Sequence, residues 1–161
     1  MSSTSTETMS QATSSSGSQA AGDGKPAARK KLTLAILSLS AFVIFLDGTV
    51  VNTALPSIAR DFSANNSVLQ WVVNMYSLIL AGFLLLAGSV GDRFGRKRAL
   101  TVGMVIFGVA SVGAALSTGS TSLIAMRGLQ GFGAAFALPS TLSIITDVFP
   151  REERAKAIAT W

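Results

Sequence analysis

The 161-residue chain is 49% hydrophobic and only 13% charged, with a mean hydropathy of +0.51. Soluble domains carry roughly 25% charged residues, so too few charges remain here to coat a soluble surface, and a membrane protein is indicated. A net charge of +5 and a pI near 10.3 do not signal nucleic acid, because the basic residues cluster at the ends of apolar runs rather than along a polar face with aromatics. The absence of Cys and His excludes disulfides, thiolate or imidazole metal sites and nucleophile systems built on either residue.

Residues 1–24 are dominated by Ser, Thr, Gly, Ala and Gln; with almost no large apolar side chain to bury, they are expected to be disordered. Lys25, Arg29, Lys30 and Lys31 close this 1–31 tail with a basic cytoplasmic segment. The next apolar run is similar to the core of a secretory signal. Its apolar character, however, continues past Asp47 through Val50, Val51, Ala54 and Leu55 without a small-residue cleavage site. The reading is a first spanning helix over 32–55, entering from the inside, with 32–161 forming one transmembrane domain.

Pro56 stops that helix or sits in its last turn, and 57–66 form an outer loop carrying Arg60 and Asp61. No charge lies between Asp61 and Asp92, a stretch longer than the roughly 20 residues a spanning helix needs. A second helix is predicted over 67–91. Trp71 and Tyr76 fall in its first two turns, at the level of an outer aromatic belt. Tyr76 is equally able to face a cavity, but belt or packing is the favoured role.

The stretch 88–100, GSVGDRFGRKRAL, is a charged island between apolar runs. Asp92, Arg93, Arg96, Lys97 and Arg98 cannot lie in hydrocarbon, so it forms a tight turn at the membrane surface, and its Lys and Arg place that turn inside the cell. Asp92 then stands at a helix C-terminus, where the macrodipole disfavours a carboxylate; Arg93 and Arg96 are its nearest compensators. The charge-free run from Arg98 to Arg127 is too long for one helix, and the small hydrogen-bonding residues STGSTS (117–122) break it. This gives a third helix over 99–116 and a fourth over 121–146. A second cytoplasmic loop spans 147–154, and a fifth helix begins at 155. Of the 13 Lys and Arg, all but Arg60 and Arg127 fall on inner segments, so the N-terminus is cytoplasmic.

Ser111 with Ala115, Ala110 with Ala114, and Gly131 with Ala135 are small residues one turn apart that let helices approach closely. Pro139, deep in the fourth helix, removes a backbone hydrogen bond and should kink it, either for structure or to shape a cavity. Asp47, Asp92 and Asp147 fall at different depths or faces, and no Gly-rich phosphate loop follows a strand. No enzyme is indicated.

Two charges remain inside the membrane. At about 1.5 Å per residue, Asp47 lies about 24 Å beyond Lys31, roughly 6 Å short of the outer edge of a ~30 Å core. Arg127 enters from the opposite side and lies roughly 8 to 9 Å below that edge. An unpaired charge there costs about 2.5 to 3.5 kcal/mol, so the expectation is an Asp47–Arg127 contact, direct or bridged by Gln130 at i+3. The competing arrangement has each side chain snorkelling separately to the outer surface.

Three stretches together resemble the major facilitator superfamily, in particular its 14-helix drug:proton antiporter branch. Gly88, Asp92, Arg93, Gly95, Arg96, Lys97 and Leu100 match the family's loop motif between helices two and three, with Gly91 where Ala is commoner. Arg127, Gln130, Gly131 and Gly133 match the fourth-helix motif, and LDGTVVNTALP (46–56) is similar to the first-helix signature of proton-coupled drug exporters.

The resemblance implies an all-α membrane protein: the N-terminal four-helix portion of a major facilitator fold plus the start of a fifth helix. It implies proton-coupled export of a cationic or lipophilic small molecule, powered by the proton motive force without a cofactor. Asp47 would be the titrating group whose protonation releases Arg127, and a cationic drug would compete for the carboxylate. The loop motif would latch the two halves in the outward-facing state, partly through a helix of the second half. Such transporters place the substrate between two pseudo-symmetric halves, so a chain of this length is expected to lack the C-terminal half and to be inactive alone. Lipid, protons and substrate are the implied partners, and the cell membrane the implied location. The alternatives are a non-transporting four-helix scaffold or subunit and a small oligomeric exporter.

Overall fold

A computed structural model describes residues 24–161; the disorder expected of the tail lies, apart from Gly24, outside the described residues. Five helices follow one another: α1 Gly24–Asp61, α2 Asn66–Phe94, α3 Arg96–Ala115, α4 Ser120–Val148 and α5 Arg151–Thr160. The first four are long and apolar enough to cross a membrane, and the protein is an all-α membrane protein.

Several boundaries differ from those read in the sequence, each for a local reason. α1 starts before Leu32, taking in the basic segment, and runs past Leu55 to Asp61 with Pro56 inside it. Proline removes one i to i−4 bond, but the helix continues through it to Asp61 and closes there, the Phe62 N–H donating to the Ile58 carbonyl at 3.1 Å and that of Ala64 to Ala59, five residues back, at 3.0 Å. The loop expected over 57–66 therefore shrinks to 62–65. Asn65 caps α2, its side chain accepting from the Val68 N–H at 3.0 Å. The charged turn is sharper than expected, since Gly95 alone separates α2 from α3 at φ 104°, a conformation that a side chain would strain. α4 includes Asp147, and α5 begins at Arg151 rather than 155. Pro139 leaves α4 unbroken; beside it the Ser140 and Thr141 hydroxyls donate to the Phe136 and Leu138 carbonyls at 2.7 Å.

α4 is the axis of the bundle and packs chiefly against α2 and α3, with α1 touching it less extensively. Two glycines make this possible. A Cβ on Gly133 would lie 2.7 Å from the Gly103 carbonyl oxygen and from the Phe107 nitrogen, so α3 and α4 meet backbone to backbone; on another side of α4, Gly131 lies against the backbone of Tyr76 in α2. Ala110 and Ala135 are buried as their small size suggests, but of the Ser111–Ala115 pair only Ser111 meets α4, Ala115 being exposed. The outer faces are apolar. Along α3, Val102, Val105, Val109, Val112 and Leu116 are all exposed at helical spacing, a ridge that suits lipid and would be a liability in water.

Candidate functional site

Asp47, Arg127 and Gln130 meet inside the bundle. α1 brings Asp47 up from one end while α4 brings Arg127 down from the other, and the two charges arrive at one depth. The Arg127 Nη1 donates both to Asp47 Oδ2 and to Gln130 Oε1, the latter at 3.0 Å, while Gln130 Nε2 donates to Asp47 Oδ1 at 3.0 Å. The contact is thus direct and bridged at once, and neither charge snorkels away. The side chains are 3% exposed for Arg127 and 16% for Asp47.

The other long helices complete the cluster. From α2, the Val72 carbonyl accepts from Arg127 Nε at 3.3 Å, and the Tyr76 ring lies under the guanidinium, 4.6 Å from its centroid. From α3, the Ser111 hydroxyl accepts from Gln130 Nε2 at 2.9 Å and donates to the Phe107 carbonyl at 2.8 Å. That donation commits the only hydroxyl proton, so Ser111 presents an acceptor, and an N–H end of Gln130 must face it. The opposite end, the carbonyl, is thereby aimed at Arg127. Both Asp47 oxygens face donors, Oδ2 the guanidinium and Oδ1 the Gln130 amide, so the carboxylate ties α1 to α4 at this level.

A second charged cluster lies at the 88–100 turn. Arg96 Nε donates to Asp92 Oδ1 at 3.1 Å, while its Nη1 donates to Asp147 Oδ2 at 2.7 Å and to the Ser143 carbonyl at 3.1 Å. Of the two expected compensators of Asp92, Arg96 fills the role. Arg93 instead stacks 5.9 Å from the Phe94 ring centroid. Asp92 is consequently tied to α4 through Arg96 and not only to its own loop. Lys97 is exposed, and Gly88 lies near Pro139, a Cβ there standing 3.9 Å from the proline Cβ. At Gly91 an added Cβ would sit 3.4 Å from Ala99, so the alanine commoner in the motif would fit.

The sequence profile of the Major Facilitator Superfamily matches residues 37–161. The chain belongs to that superfamily. Similar proteins include the multidrug efflux pump LfrA of Mycolicibacterium smegmatis, 42% identical over 134 residues, which are 83% of this chain and 27% of the relative. The multidrug resistance protein Stp of Mycobacterium tuberculosis is 40% identical over 131 residues, 81% of this chain and 24% of the relative. The riboflavin transporter RibZ of Clostridioides difficile is 37% identical over 130 residues, 81% and 28% respectively. The chain spans about a quarter of the length of these relatives.

Within this superfamily chain, the residues singled out in the sequence fall into three groups. Asp47, Arg127 and Gln130 form the buried cluster; Asp92 and Arg96 form the end cluster, with Gly95 making the turn; Gly131 and Gly133 carry the helix crossings. Arg93 and Lys97 join neither cluster through an ion pair among the described residues. The sequence reading missed Asp147 as the second carboxylate on Arg96, Ser111 as the anchor of Gln130, and Tyr76 as a partner of Arg127. Ser111 and Tyr76 had one available signal: each is a polar group within an apolar run, which in a spanning helix calls for a partner.

Proposed function

We propose that this chain is part of a proton-coupled small-molecule exporter in the cell membrane, with its N-terminus and the 88–100 turn on the cytoplasmic side. The observation that supports it most is the Asp47–Arg127–Gln130 cluster, a carboxylate and a guanidinium buried together in a bundle of spanning helices of a major facilitator chain. Buried intramembrane ionisable groups mark ion and substrate pathways. In this reading Asp47 takes the proton, Arg127 is released when it does, and a cationic or lipophilic substrate competes for the same carboxylate. The names of LfrA, a multidrug efflux pump, and Stp, a multidrug resistance protein, favour substrates of that class. The Arg96 cluster would stabilise one conformation at the cytoplasmic end, completed by a second half that supplies the other wall of the cavity; this chain alone would not transport.

The test is Asp47→Asn in the longer transporter that this reading implies, assayed in inverted membrane vesicles with an imposed proton gradient. The expected result is normal insertion with proton-driven export abolished. Export at unchanged proton dependence would overturn the assignment of Asp47.

A further inference from the structure

Arg127 is 2% exposed, and a guanidinium carries its charge in proteins generally, so this one needs a partner whether or not Asp47 is charged. Facing it are Asp47 from α1, Tyr76 and the Val72 carbonyl from α2, and Gln130 from its own helix; α3 contributes the non-titrating Ser111 through Gln130. Val72 and Tyr76 are one turn apart and present one face of α2. The ring lies well within the roughly 6 Å reach of a cation–π interaction, which strengthens on desolvation.

The same level of the bundle fixes that ring in place. Gly131, one turn beyond Arg127 on α4, is so close to the Tyr76 backbone that a Cβ would stand 3.2 Å from its Cα. α2 is thus joined to α4 by backbone contact beside the charge, whereas the polar tie from α1 at this level runs through the Asp47 carboxylate.

We propose that Tyr76, with the Val72 carbonyl, is a second seat for the Arg127 charge, so that neutralising Asp47 frees α1 from α4 while α2 stays in place. Tyr76 is then a positioning residue, and the proton acts on one helix contact instead of loosening the whole bundle. The inference rests on the coupling reading of Asp47 given above.

The chain has no cysteine, so nitroxide pairs can be introduced at the exposed positions Val50 on α1, Gln70 on α2 and Thr121 on α4, and their distances read by pulsed electron resonance in lipid nanodiscs. Asp47→Asn should broaden the Val50–Thr121 distance and leave Gln70–Thr121 sharp. Adding Tyr76→Leu should then raise the loosened Gln70–Thr121 population roughly 5- to 30-fold, the factor that a cation–π term of this type carries, while Tyr76→Phe should not. With Asp47 intact at neutral pH, Tyr76→Leu should leave both distances unchanged, which a merely structural ring would not. If the leucine variant fails to fold, phenylalanines carrying one to three ring fluorines at position 76 replace it. Loosening graded with fluorination supports the seat, because the ring keeps nearly its size and loses its negative face. Equal tightness across these variants, or Tyr76→Phe behaving as Tyr76→Leu, overturns this inference alone. A Val50–Thr121 distance that neither Asp47→Asn nor acid changes overturns the coupling reading, and the inference with it.

Discussion

Arg127 and Arg96 each join a carboxylate on another helix to α4 or to its neighbours, and the hydrogen-bond lengths in the two clusters are alike. Their surroundings are not. The Arg127–Asp47 side chains are 3% and 16% exposed, those of Arg96 and Asp147 33% and 62%. The first pair has exchanged water for protein dipoles, so its partners depend on one another, and removing one leaves a charge stranded in a low-dielectric interior. The second pair can trade its partner for water at little cost. Similar geometry therefore serves a tight, mutually dependent tie in one place and a loose clasp in the other.

The comparison is put under most stress by Arg127→Ala. It strands Asp47 with Gln130 alone and is expected to cost about 3–5 kcal/mol, read as a lower thermal midpoint in detergent. Asp47→Asn should cost less, because the amide is neutral and the Arg127 charge keeps the Val72 carbonyl and the Tyr76 ring. A loss for Arg127→Ala as small as that for Asp147→Asn would remove the distinction between the clusters.

A second change acts on the packing that keeps the inner cluster tight. In Gly103→Ala the new Cβ would stand 2.7 Å from the Gly133 carbonyl oxygen, pushing α3, and Ser111 with it, away from Gln130. Overpacking of this kind costs about 1–3 kcal/mol, and the same thermal unfolding measures it. At Gly108 a Cβ meets nothing within 4 Å, so Gly108→Ala should be neutral or slightly stabilising. If both variants unfold alike, the close crossing does not support the site.

The smallest effect is also the most diagnostic of exposure. Asp147→Asn should cost about 0.2–1 kcal/mol, and that cost should fade in about 1 M salt, where the screening length is about 3 Å. The cost of Asp47→Asn should not respond to salt. Salt sensitivity in the buried pair would mean that water reaches it.

Much of this was written in the order of residues. The alternation of long uncharged runs with basic clusters determined that there are four spanning helices and where they turn, because hydrocarbon admits neither charges nor unpaired backbone. The same constraint favoured a contact between Asp47 and Arg127 over separate snorkelling, since two charges at one depth in a short bundle are cheaper together than apart. The family, too, was legible in the motifs around Gly88, Arg127 and Asp47. Tertiary structure alone decided which neighbours complete each cluster. Asp147 reaches Arg96 because α4 runs to Val148, two residues further than its composition suggests; Ser111 reaches Gln130 because Gly103 and Gly133 bring two backbones together; and Tyr76 turns toward Arg127 rather than the lipid because Gly131 holds α2 against α4. Polarity sets the depth of a side chain along its helix, whereas its direction around the helix is set by which neighbours approach closely enough to touch it, and that follows from packing.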